Sequence, residues 1–330
     1  MRHRISRRSV LGGLAAAAIA SSGLTAGAAA SPPDSLIIDT HQHLWDLSKF
    51  KLAWVENSSI AEYRGSHRNE EYLEATRGLN LKAVYMEVDM PPEQRMAEAE
   101  YVFGLCRANN VPTIAAVVGG RPDGAGFSEY IKKCNASGFL RGVRQALHGS
   151  NTPGGTCLSR EFIEGILFLG KQDLCFDLCM RPEELGDGLK LSERCPDTKL
   201  VIDHCGNADP QAFAPEKGSK PSHDVEMWKR DMAALAKQPN VICKISGIVA
   251  RAPQKWTAAD LAPIVNHCID VFGPDKVVFG GDWPICLRRA GLAQWIDALA
   301  EIIKNRPLTE RRKLWADNAR RFYALDRLLP

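Results

Sequence analysis

Several features are missing from this 330-residue chain, and each absence narrows what it can be. After residue 30 no apolar run approaches the roughly 20 residues that a membrane-spanning helix needs. No CxxC pair occurs among the ten cysteines, so nothing suggests a structural zinc. There is no internal repeat and no Gly/Ser/Pro linker long enough to divide the chain. A basic excess is also missing. The 42 Lys+Arg stand against 39 Asp+Glu, but Arg2, Arg4, Arg7 and Arg8 fall in the first 30 residues, which hold no acid. The remainder has 38 bases against 39 acids, a net charge of −1, so nucleic acid is not an expected partner.

The first 30 residues read as a targeting segment. Ser6-Arg7-Arg8-Ser9-Val10-Leu11 is a twin-arginine pattern, an apolar stretch to Ala20 follows, and Ala28-Ala29-Ala30 offers a small-residue cleavage site. The expectation is export by the twin-arginine route to the periplasm or beyond, with a mature domain over residues 31–330. About 300 residues suffice for one domain with a substantial core. All ten cysteines lie in that domain. Cys175 and Cys179, four apart on one predicted strand, would stand roughly 13 Å apart, too far for a bridge. Buried free thiols acting as small apolar side chains are expected instead.

Eight continuous apolar segments recur every 25 to 45 residues or so: Leu36–Thr40, Ala83–Val88, Thr113–Val118, Leu140–Arg144, Leu174–Leu178, Leu200–Asp203, Val241–Lys244 and Val277–Phe279. Unbroken runs of this kind mark parallel strands buried on both faces. Helical patterns intervene, among them Pro92–Ala108 and Ala259–Phe272, the latter closing at Gly273-Pro274. The predicted fold is α/β, a (β/α)8 TIM barrel. Residues 310–325 are predicted to form a helix packed on the barrel wall. Two long stretches, Asp46–Gly65 with Trp54 and Tyr63, and Asn207–His223, each follow a strand and are expected on the active face.

Polar strand ends collect at one mouth of such a barrel, where the first and last strands are neighbours. Ile37-Ile38-Asp39-Thr40-His41-Gln42-His43 and Phe279-Gly280-Gly281-Asp282 would therefore converge. His41 and His43, two apart, point the same way, as half a metal site or as a pair polarising a carbonyl. Asp282 can hold a metal or take a proton from water; an N-cap role is the structural alternative. His204, ending strand six, is a further ligand or carbonyl donor, with Asp203 beside it expected to point away. Arg144, His148, Arg181 and Lys244 are candidate contacts to an anionic or polyhydroxylated substrate. Trp45 and Trp283 are candidate pocket walls. Strand five carries no His, so at most His41, His43 and Asp282, with His204 as a fourth, would hold one divalent ion such as zinc, weakly if at all. The implied partner is a small molecule, and no oligomeric state is implied.

The strand-one motif through Trp45, the Arg144 strand, Asp203-His204, Lys244-Ile245-Ser246-Gly247, Phe279-Gly280-Gly281-Asp282-Trp283-Pro284 and the tail Asn318-Ala319-Arg320-Arg321-Phe322-Tyr323 resemble the amidohydrolase-related TIM-barrel family. Within it they resemble the branch of sugar lactonases and 2-pyrone-4,6-dicarboxylate hydrolase. The resemblance spans nearly all of the mature chain. It implies water attack on a lactone carbonyl, with Asp282 as base and His41, His43 and His204 polarising the carbonyl or holding zinc. Some members of the branch work without metal. Two other readings share the barrel: a metal-dependent decarboxylase, and a carbohydrate-binding barrel without catalysis.

Overall fold

A computed structural model describes residues 36–149, 151–214 and 220–329. The twin-arginine segment lies outside these residues. Eight parallel strands pair in chain order: β1 Ile37–Gln42, β2 Leu81–Met86, β3 Thr113–Gly119, β4 Leu140–Ala146, β5 Cys175–Cys179, β6 Leu200–Ile202, β7 Val241–Ile245 and β8 Val277–Phe279. The sheet curls into a (β/α)8 barrel. Its seam is made by Asp282 N–H donating to the His41 carbonyl at 2.8 Å and His43 N–H donating to the Trp283 carbonyl at 2.8 Å. Each strand begins or ends within two residues of the position expected from its apolar run. Among the described residues no helix is long and apolar enough to cross a membrane. All ten thiols are buried and none is bonded to another.

Helix boundaries follow local chemistry. The helix Ala258–Phe272 opens with a capping box, in which the Asp260 carboxylate accepts from Thr257 N–H at 2.7 Å, and closes at Gly273 with φ 73°. The helix Arg95–Ala108 stops at Asn109, which takes a left-handed φ of 51°.

Two apolar layers result. The larger lies between strands and helices. The smaller fills the barrel itself with inward residues such as Ile38, Val84, Val117, Val201 and Val278. The C-terminal segment joins this inner layer through Ala316, Ala319, Tyr323 and Leu325. It therefore closes one end of the barrel, where a helix on the wall was expected. A π-helical turn at Lys313–Asp317 breaks the simple helical period used for that expectation. It leaves Leu314 and Trp315 in the outer layer and turns Ala316 inward. Asn318 ties the segment to β8 by donating to the Pro274 and Val277 carbonyls at 2.7 and 2.8 Å.

Candidate active site

The two terminal motifs are joined by Asp39. Its buried carboxylate accepts from His41 N–H at 2.9 Å, Gly281 N–H at 2.7 Å and Tyr72 O–H at 2.7 Å. Burial raises its pKa, while these hydrogen bonds pull it down. The tight approach explains Gly280. A Cβ there would lie 2.8 Å from His41 Cβ and 2.9 Å from Ser246 Cβ. Asp282 then takes a left-handed φ of 53°, a conformation that costs a non-glycine residue about 1–2 kcal/mol. Strain of this kind collects at functional sites.

This turn aims Asp282 at the histidine pair. Asp282 Oδ1 lies 3.4 Å from His43 Nε2 and 3.7 Å from His41 Nε2. The other nitrogen of His43 contacts the Met86 carbonyl at 3.0 Å. It must donate there, so neutral His43 presents a bare lone pair at Nε2. Two acceptors, His43 Nε2 and Asp282 Oδ1, thus face each other. A water donating to both, or a cation, would satisfy them.

His41 sits deeper, over a charged floor. Lys244 Nζ contacts Asp177 Oδ2, Asp203 Oδ1 at 3.1 Å and His41 Nδ1 at 3.3 Å. All four side chains are sealed from solvent. Burial pushes His41 well below the usual histidine range; the Asp203 charge opposes this and Lys244 adds to it. Asp203 is also buried, yet Lys244 and then His41 hold it well below the usual carboxylate range. Burial raises Asp177 to about 7 despite Lys244. Arg144 closes the other side. Its Nε donates to Glu87 Oε1 at 2.6 Å, and its NH1 stands 3.3 Å from His41 Nε2.

His204 follows β6 on an unusual backbone. His204, Cys205, Gly206 and Asn207 have successive φ values of 54°, 52°, 66° and 56°. Gly247, with φ 71°, makes room, since a Cβ there would lie 2.3 Å from the His204 ring. His204 Nδ1 meets Ser246 Oγ at 3.0 Å. Burial lowers its pKa, but the charge of Asp282 and a contact with Cys179 outweigh this, and the net direction is upward.

Above these groups opens a cavity of 420 Å³. His43, Asp282, His204, Arg144 and His148 line it. Trp54 and Tyr63 line it too, as expected of the first long stretch, together with Ile60. Tyr63 O–H reaches across to donate to the Ile285 carbonyl at 3.0 Å. Of the second long stretch, Asn207 alone among the described residues faces this cavity.

Four expected contacts lie elsewhere. Lys244 is an interior cation below His41, because an inward residue of β7 faces the barrel axis. Arg181 is spent on the loop after β4, donating to the Gly149 and Thr152 carbonyls, and on Glu184 in its own loop. Trp45 is fully buried against Trp54 and His67. Trp283 packs on Tyr72 and His67. Asp203 differs in the opposite sense: it points into the barrel beside His41, while the left-handed turn swings His204 to the cavity. Glu87, Asp177, Cys179, Arg251 and Arg288 also belong to the site or its floor, although no motif in the sequence marks them. For Glu87 and Asp177 the signal was a lone acid within an apolar strand.

The sequence pattern of the amidohydrolase family matches residues 38–325. The chain belongs to that family. An L-fucono-1,5-lactonase of Burkholderia multivorans is 27% identical over 298 residues, covering 88% of this chain and 97% of that protein. An L-rhamnono-gamma-lactonase of Scheffersomyces stipitis is 25% identical, covering 87% of this chain and 98% of that protein. A crystal structure of an amidohydrolase from Burkholderia multivorans with bound zinc superposes with a TM-score of 0.75. It is 23% identical and covers 88% of this chain and 99% of that one, a likeness of fold.

The donor atoms of His41, His43 and Asp282 lie within 4.8 Å of one another. Ligands at about 2.0–2.1 Å in a tetrahedral site stand about 3.3–3.4 Å apart. The His43–Asp282 spacing fits a divalent ion. His41 fits less well, because Arg144 and Lys244 press positive charge on both of its ring nitrogens.

Proposed function

We propose that this hydrolase opens lactones, with a sugar lactone as the substrate class, by attack of water on the ring carbonyl. The observation that carries the reading is the convergence of Asp282 Oδ1 and His43 Nε2, 3.4 Å apart, at the base of a cavity that His204 also faces. The names of the two lactonase relatives support the choice of a cyclic ester.

In this mechanism water lies between His43 and Asp282, and Asp282 takes its proton as the oxygen attacks. His204, whose pKa is raised, donates to the carbonyl oxygen as negative charge develops there. Arg144, locked by Glu87, holds positive charge beside His41 and the cavity. Trp54, Ile60 and Tyr63 cover one side and exclude bulk water from the substrate's apolar face. As the intermediate collapses the ring C–O bond breaks, the carbonyl re-forms and returns the His204 proton, and Asp282 passes the proton it took from water to the leaving ring oxygen, giving a hydroxy acid. A divalent ion held by His41, His43 and Asp282 would supply Lewis acidity and lower the pKa of water to about 7. The cations around His41 argue for weak retention. An activated ester needs less assistance than an amide, so lactones are hydrolysed and amides are not. Assay of aldonolactones and unsaturated lactones by acid release, with and without added zinc, tests the reading.

Export by the twin-arginine route belongs to the same proposal. It is supported by the Arg7-Arg8 motif and the apolar stretch behind it.

A further inference from the structure

Away from the cavity, three thiols meet. Cys205 comes from the left-handed turn after β6, Cys243 from β7 and Cys268 from the helix Ala258–Phe272. Their sulfur atoms all lie within 4.8 Å of one another. All three side chains are completely buried, in the apolar layer between barrel and helices. We propose that Cys205, Cys243 and Cys268 form a binding site for a single soft, thiophilic metal ion of the copper(I) type.

Two observations lead there. The first is geometric. A trigonal ion with metal–sulfur bonds of about 2.3 Å spaces its three sulfurs about 4 Å apart, which lies inside the observed limit. The second concerns the turn that delivers Cys205. Its φ of 52° costs a non-glycine residue about 1–2 kcal/mol, and the same turn sets the Cys205 carbonyl to accept from Trp228 Nε1 at 2.9 Å. The trio thus draws its sulfur from three separate elements, a turn, a strand and a helix. Three thiols sealed side by side in an apolar layer offer only soft donors to an ion.

The donor set also selects the metal. Among the described residues no fourth His, Cys or carboxylate joins the trio. Structural zinc takes four ligands, whereas an all-sulfur set of three suits copper(I). Bound there, the ion would cross-link the β6 turn to β7 and to the helix, and so fix the turn that carries His204. The ion is acquired during folding, because the site is closed.

The test is to express the full chain in copper-supplemented cells, desalt it anaerobically, and count metal per chain. The wild type and Cys106→Ala, a buried thiol elsewhere in the fold, should each retain about one copper. Cys268→Ala and Cys243→Ala should lose at least about tenfold, with circular dichroism confirming that the variants are folded. X-ray absorption of the wild type should show three sulfur neighbours at about 2.3 Å. If either variant fails to fold, absorption on the wild type decides alone. Three results each overturn the proposal: wild type free of copper, copper held equally by the Cys268 variant, or a disulfide among the three in the peptide map.

Discussion

Replacing Lys244 by Met tests the charged floor beneath His41. The ammonium is fully buried and pairs with two carboxylates that are themselves fully buried, Asp177 and, at 3.1 Å, Asp203. Methionine keeps the volume but leaves two acids without their cation. Breaking a buried ion pair by removing one partner costs about 3–5 kcal/mol. The penalty depends on pH in a defined direction. Burial already holds Asp177 at about 7, above its unfolded value of 3.8, and loss of Lys244 raises it further. The folded state then binds a proton that the unfolded state has released. This contribution is fully present below the unfolded pKa and is lost as pH rises through the folded one. The destabilisation of Lys244→Met is therefore smaller at pH 5 than at pH 8. Adding Asp177→Asn removes the surplus charge and should recover much of the loss. Urea unfolding of the wild type, both single variants and the double variant at the two pH values gives the coupling energy. A Lys244→Met penalty below about 1 kcal/mol at pH 8, outside the range for a broken buried pair, or strict additivity in the double variant, would refute the ion-pair account.

Glu98 provides a second pH test. Burial and the Glu87 charge raise it to about 8, against an unfolded value of 4.5; its stabilising protonation is complete below 4.5 and gone above 8, so Glu98→Gln should raise Tm more at pH 9 than at pH 5, and a pH-independent difference counts against it. Arg7→Lys/Arg8→Lys should strand the precursor in the cytoplasm, and unchanged export in cell fractions removes the export reading. Dialysis against chelator should strip any zinc and leave a protein that opens lactones but not amides; stoichiometric zinc surviving that treatment, together with amide hydrolysis, contradicts the weak-metal account.

The barrel was legible in the sequence because strands buried on both faces leave unbroken apolar runs, and β8 was read to the residue. The seam was legible for a related reason. Both motifs end strands that the fold makes neighbours, and Asp39 and Gly280 are there to join them. Side-chain direction at strand ends was less visible. Lys244 and Asp203 were assigned by position in the chain, but the barrel interior claims them, and only three-dimensional pairing with Asp177 reveals why. His204 reaches the cavity through a left-handed backbone that histidine does not advertise. Arg181 looked free because its acceptors are backbone carbonyls of a distant loop. The tail keeps Leu314 and Trp315 on the wall as expected, while around and beyond the π turn Ala316, Ala319, Tyr323 and Leu325 join the inner layer.

In the proposed reaction Asp282 activates water against a lactone carbonyl. The most direct measurement of that step is kcat of wild type and Asp282→Asn on the best aldonolactone or unsaturated lactone in the acid-release screen, with matching Tm values. General-base catalysis contributes about 10²–10⁴-fold. Asp282→Asn should fold normally and lose activity within or beyond that range. Retention of more than about a tenth of the activity, far above what loss of a general base allows, or no turnover of any lactone by the wild type with or without zinc, would contradict it.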